Sequence, residues 1–223
     1  MNGDEPAHRY RLVVFDFDGT LADTYDWFAS VINDVADRYN FRRAQEHEAE
    51  LLRGMDARGV MSHLGIPSWK LPFIARHMHR LAARDVASIR LFPGIEAMLV
   101  ELDAAGFVLA VVSSNTEDNI RKVLGPALAG RFLHYACGAS VFGKAKRLRA
   151  VMKAARVRPS ETLAIGDEIR DGDAAERAGC DYASVSWGYT RAEALAARKP
   201  IVVFEMPIEI TALLNEKPAP LRA

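Results

Sequence analysis

The chain has 223 residues, with 29 basic side chains against 29 acidic ones, and half of its residues are hydrophobic. At about 150 residues per domain this is one large domain or one and a half, and the apolar content excludes a disordered or collagen-like chain. The balanced charge argues against a dedicated nucleic-acid binder. Two cysteines, Cys137 and Cys180, cannot form a disulfide framework and suit a reduced, cytoplasmic setting. Neither a secretory h-region nor an apolar run of about 20 residues is visible, so no membrane association is expected.

Residues 1–9 read as a loose polar leader. Tyr10-Arg11-Leu12-Val13-Val14-Phe15 is then a β-branched and aromatic run, expected as a buried strand. Residues 24–88 carry no convincing strand. Phe28, Val31, Ile32, Val35 and Tyr39 share one face of a helix, and a second helical segment covers 45–53. Gly54, Gly59 and Gly65-Ile66-Pro67 punctuate the stretch after it. A longer helix is expected from Ser68, as N-cap, to Asp85, with Pro72 tolerated in its first turn.

From Phe92-Pro93-Gly94 onward the pattern changes. Strand-like runs at 107–112, 133–137, 162–165, 182–185 and 201–204 alternate with helical segments at 94–104, 116–124, 144–156, 171–178, 190–197 and 207–215. This alternation predicts an α/β fold, a doubly wound parallel sheet covered on both faces. The helical stretch then reads as an all-helical insertion placed after the first strand. The expected division is an α/β core of 1–20 and 91–223 and a helical insertion of 21–90, with hinges near 20–24 and 87–92.

In open α/β sheets, ligands bind outside the carboxyl ends of the strands. Asp16 and Asp18, at i and i+2, end the first strand, and Gly19 allows a turn. Ser113-Ser114-Asn115 follows a second strand, Gly143-Lys144-Ala145-Lys146 precedes a helix, and Gly166-Asp167-Glu168-Ile169-Arg170-Asp171 follows a third. Carboxylates, a hydroxyl and a lysine therefore converge on one sheet edge. Such an acidic cluster raises the pKa of its own members, and a hard, oxygen-preferring dication such as Mg²⁺ relieves it.

DFDGTL at 16–21, Ser113 after a hydrophobic strand, Lys144, and GDEIRD at 166–171 resemble, in this order, the motifs of the haloacid dehalogenase superfamily. The helical insertion is similar to the small cap of its phosphoglycolate-phosphatase-like subfamily. The stretch 53–67 and Trp187-Gly188-Tyr189 add to that similarity. The resemblance implies a nucleophile at Asp16 that forms an aspartyl-phosphate, and a general acid and base at Asp18. It implies that Ser113 binds a phosphoryl oxygen and that Lys144 offsets negative charge. Mg²⁺ would be held by Asp16, the backbone carbonyl of Asp18, and Asp167, with Asp171 in support. Dehalogenases resemble this pattern without the acid two residues after the nucleophile, so Asp18 favours phosphoryl chemistry.

Two positions stay open between neighbours. Only one of Ser113 and Ser114 can face the site from a strand, and Ser113 is preferred because it ends the hydrophobic run. Lys144 is preferred to Lys146 because it stands at the loop-to-helix junction, although the family's frequent proline after the lysine is Ala145 here. Asn115 and Arg53 are further candidates for substrate binding. The histidines His63, His77 and His79 are expected to be ordinary surface or core residues.

The expected activity is Mg²⁺-dependent hydrolysis of a small phosphorylated metabolite by a monomer or homodimer, with no nucleic-acid or membrane partner. A sugar phosphomutase with the same intermediate is the nearest rival. A non-enzymatic phospho-aspartate signalling module is a more distant one, since such a module needs neither a cap nor Asp18.

Overall fold

The computed structural model describes residues 8–138 and 143–216. In chain order the elements are β1 (Leu12–Phe15), β2 (Ala22–Asp23), α1 (Tyr25–Tyr39), α2 (Ala49–Arg53), α3 (Ala57–His63), α4 (Leu71–Arg84), β3 (Arg90–Leu91) and α5 (Ile95–Ala104). Next come β4 (Val108–Val112), α6 (Glu117–Ala129), β5 (Phe132–Ala136), α7 (Lys144–Ala155), β6 (Thr162–Gly166), α8 (Ile169–Ala178), β7 (Asp181–Val185), α9 (Ala192–Ala196), β8 (Val203–Phe204) and α10 (Pro207–Asn215).

The main sheet has six parallel strands in the order β5-β4-β1-β6-β7-β8. Side chains alternate between its faces with the period of two that strands impose. Val13, Phe15, Leu109, Val111, Leu163 and Ile165 enter one core, together with α5, α6 and α10. Leu12, Val14, Ala110, Val112 and Ala164 enter the other, beneath α7 and α8. This is the doubly wound α/β architecture, and burial on both faces explains why the strands read as continuous apolar runs.

The chain works outward from β1 through β4 to β5, then returns to β6 on the opposite side of β1. The carboxyl ends of β4, β1 and β6 therefore flank the point where strand order reverses, which is where an open sheet offers a crevice.

Helices α1 to α4 all lie between β2 and β3, which pair antiparallel through Ala22↔Leu91 and Asp23↔Arg90. The two crossings into and out of the helical unit are thus joined to each other, a pairing of two-residue strands too short to announce itself in the sequence. α1 follows the expected stripe, burying Val31, Ile32 and Val35.

Two local expectations are corrected. Ser68 does not cap the long helix: it opens a 3-10 turn, and α4 starts at Leu71 with Pro72 in its first turn and no side-chain cap. Residues around Gly59, read as punctuation, form α3, because the Asp56 carboxylate caps the backbone N–H of Gly59 at 2.7 Å.

Candidate active site

Asp16 lies directly beyond β1, and its backbone N–H donates to the Ile165 carbonyl of β6 at 2.9 Å. The next residues fold back tightly. The N–H groups of Leu21 and Ala22 both reach the Phe17 carbonyl at 2.9 Å, and Gly19 N–H reaches the Ala22 carbonyl at 2.9 Å. Gly19 sits at φ +77°, and a Cβ there would lie 2.2 Å from Asp167 Oδ2. Both the handedness and the space demand glycine. This turn brings Asp16 and Asp18 to the sheet edge, with Asp16 only 4 % exposed.

Lys144, the first residue of α7, reaches across to the carboxylates. Its Nζ stands 2.6 Å from Asp16 Oδ2 and 2.5 Å from Asp171 Oδ1. Lys146 is exposed on the same helix, so the structure brings Lys144 to the site and leaves Lys146 outside it. Asp167 is fully buried after β6; it accepts from the Thr20 hydroxyl at 2.7 Å and from the Tyr189 N–H at 2.8 Å. The backbone N–H of Glu168 donates to Asp171 Oδ2 at 3.0 Å.

Asp16, Asp167 and Asp171 each present a carboxylate oxygen within 4.8 Å of the others. Three buried carboxylates thus crowd together, two of them against one ammonium. Burial, then Glu168, Asp16 and Asp171, push Asp167 well above the usual carboxylate range. Burial likewise pushes Asp171 up to about 6, although Lys144 opposes it. For Lys144, burial favours the neutral form, but Asp16 and Asp171 outweigh it and raise its pKa. Oxygen donors carrying excess negative charge fit a hard divalent cation. Among the described residues no other group of three His, Cys, Asp or Glu side chains has this geometry.

Asp18 stands apart from that triad. Asn115 Nδ2 donates to both of its oxygens, at 3.2 and 3.1 Å. Burial first, and the neighbouring Asp16 second, raise its pKa to about 7, against the Asn115 hydrogen bond. A carboxyl so poised can both give and take a proton near neutrality. Ser113 follows β4, is almost fully buried, and accepts the Asn115 N–H at 3.1 Å.

The loop after β7 seals the far side. Trp187 Nε1 donates to the Thr20 carbonyl at 3.0 Å, and the Tyr189 hydroxyl donates to Thr24 Oγ1 at 3.0 Å. At Gly188 a Cβ would fall 2.3 Å from Asp167 Cβ and 2.4 Å from the Gly19 carbonyl oxygen. Arg53 of α2 is turned to this loop: Nη2 donates to the Gly188 carbonyl at 3.0 Å and Nε to that of Tyr189 at 3.1 Å. Here it ties the helical unit to the core, and those donors are not free for a ligand. A cleft of about 90 Å³ opens between Asp56 and Arg58 on one side and Lys144 and Arg170 on the other.

Residues 13–185 of the chain match the family model "Haloacid dehalogenase-like hydrolase". The chain belongs to the haloacid dehalogenase-like hydrolases. Among its curated relatives is a phosphoglycolate phosphatase of Synechococcus elongatus, 26% identical over 199 residues, which cover 89% of this chain and 94% of the relative. Another is the tyrosine-protein kinase PtkA of Mycobacterium tuberculosis, 28% identical over 202 residues, covering 89% and 69%. A crystal structure of a putative phosphoglycolate phosphatase from Lactobacillus plantarum superimposes with a TM-score of 0.78 at 23% identity, covering 92% of this chain and 99% of that one. That likeness shows a shared fold over most of this chain.

Thr20 and Asn119 are site neighbours that sequence reasoning did not assign. Thr20 had a signal, being part of DFDGTL. Asn119 had none, because the partner that ties it to the helical unit, the His79 carbonyl, comes from a distant segment.

Proposed function

We propose that this protein is a Mg²⁺-dependent phosphatase that hydrolyses a small phosphomonoester through an aspartyl-phosphate on Asp16. The observation that carries the reading is the pairing of Asp16, held by Lys144, with a separate carboxyl, Asp18, whose pKa is raised to about 7. Nucleophile and leaving-group acid are two different groups in two different environments, as general acid catalysis requires.

Mg²⁺, held by Asp16, Asp167, Asp171 and the Asp18 backbone carbonyl, would supply the positive charge that admits a phosphate dianion among carboxylates. The remaining chemistry belongs to the chain. An Asp16 oxygen attacks phosphorus, and the bond from phosphorus to the leaving oxygen breaks. The leaving oxygen keeps that electron pair and takes the proton of Asp18. Asp18, now a carboxylate, removes a proton from water, which attacks the same phosphorus and releases Asp16 and inorganic phosphate. Ser113 donates to a phosphoryl oxygen, and Lys144 steadies the charge on Asp16.

Residues 21–90 act as a cap on a core of 1–20 and 91–223. The β2–β3 pair forms the paired hinge, and closure excludes water from the site. The names of the relatives support phosphoglycolate as the first substrate to try. A cytoplasmic monomer or homodimer acting on a free metabolite completes the reading. Among the described residues no helix is long and apolar enough to cross a membrane.

A panel of small phosphoesters, with and without Mg²⁺, tests the proposal. Inorganic phosphate as product supports hydrolysis, whereas an isomerised sugar phosphate would identify a mutase. Full activity in an Asp16→Asn variant would overturn the nucleophile assignment.

A further inference from the structure

Asp18 is held by a chain of hydrogen bonds that leaves the site and ends in the helical unit. Asn115, which fastens the Asp18 carboxyl, has its own carbonyl oxygen fixed by two donors, Thr116 N–H at 2.8 Å and Asn119 Nδ2 at 3.2 Å. A backbone N–H can only donate, so the Asn115 amide oxygen must face it and the NH₂ must face Asp18. Asn119 Nδ2 also donates to the backbone carbonyl of His79, in α4, at 3.1 Å. Its NH₂ carries two hydrogens, one for each acceptor. Asn119 is 3% exposed, so water does not readily replace either partner.

One acceptor of Asn119 thus belongs to the core and the other to the helical unit. We propose that Asn119 is a positioning residue that makes the orientation of the Asp18 carboxyl depend on where α4 sits. The inference rests on the reading of Asp18 as the leaving-group acid. With α4 in place, Asn119 fixes Asn115, and Asn115 presents Asp18. With α4 displaced, the Asn119 amide loses one acceptor, turns, and leaves the Asn115 oxygen held by the Thr116 N–H alone, so that Asn115 presents Asp18 less firmly. Proton delivery is then most effective when the cap is closed, which keeps the acid weaker toward an open, wet site.

The test separates proton delivery from binding and from fold. Asn119→Leu keeps the branched shape of the side chain and removes both donors, and Asn119→Ala serves if the larger leucine does not fit. Two substrates are compared in Mg²⁺. One is the alkyl phosphate that the wild type turns over fastest. The other is 4-nitrophenyl phosphate, whose leaving group departs without a proton. For the alkyl phosphate, kcat should fall about tenfold or more with KM within about threefold. Single-turnover release of 4-nitrophenolate should stay within about threefold of wild type. Hydrogen exchange of the α4 amides should quicken while that of the sheet does not.

Equal losses on both substrates, or none on either, would overturn the positioning role. Unchanged exchange in α4 would overturn its link to the cap. A wild type that releases neither alcohol would instead overturn the phosphatase reading, and this inference with it.

Discussion

Lys144→Met keeps the stem of the side chain and removes its charge from between Asp16 and Asp171. At 2.6 and 2.5 Å, each attraction is worth about 6 kcal/mol at an effective dielectric of about 20. Desolvation of the buried ammonium returns several kcal/mol of that, so the expected net loss of stability is about 3–5 kcal/mol. In a chain of this length that lowers the melting temperature by roughly 6–20 °C.

The sign with pH is fixed by the carboxylates. Asp171 already has its folded pKa raised to about 6, by burial first, with Lys144 opposing. Without the lysine it rises further. A carboxyl whose folded pKa exceeds its unfolded value disfavours folding wherever it must ionise, so the penalty is absent below about pH 4 and grows through and beyond pH 6. Lys144 itself is raised, so its stabilising contribution is fully present below its ordinary value of 10.5 and is lost only as pH rises through the raised folded value. The variant should therefore be destabilised at both pH values, and more at pH 8, where Asp171 must ionise without the lysine. The measurement is chemical denaturation in EDTA at both pH values. A loss under about 1 kcal/mol at pH 8, or one that does not change between pH 5 and 8, would refute the reasoning, because it would mean that the lysine does not compensate these carboxylates.

Two further outcomes concern the same site. Added Mg²⁺ should stabilise the wild type by about 2.7 kcal/mol at a hundredfold excess over its dissociation constant, seen as a rise in melting temperature relative to EDTA. Asp167→Asn should abolish that rise, and a rise that survives would place the cation elsewhere. Gly188→Ala drives a Cβ against Asp167 Cβ and the Gly19 carbonyl oxygen, at 2.3 and 2.4 Å, neither of which can swing aside. It should cost about 1–3 kcal/mol and weaken the Mg²⁺ response, whereas a wild-type response in calorimetric titration would show that the loop yields.

Legibility in the sequence tracks the reach of the interactions. β1, β4, β6 and β7 are read from continuous apolar runs, because a strand buried on both faces carries its environment in its own composition. α1 is read from its stripe for the same reason. α3 escapes the pattern because a side-chain cap from Asp56, rather than periodicity, starts it. The β2–β3 pair escapes because each strand is two residues long, and its partner is far along the chain.

The site divides in the same way. Asp16, Asp18, Ser113, Lys144, Asp167 and Asp171 are legible because parallel-sheet topology sends each strand end to one edge, so their position along the chain already implies convergence. The sequence alone thus determined the α/β class, the inserted helical unit and the set of groups at the crevice. Only the tertiary structure decided which lysine lies between the carboxylates, why glycine is needed against Asp167, and that Arg53 and Asn119 join the helical unit to the core. Those are contacts between segments brought together by folding, set by distances of a few ångströms that no local pattern of residues encodes.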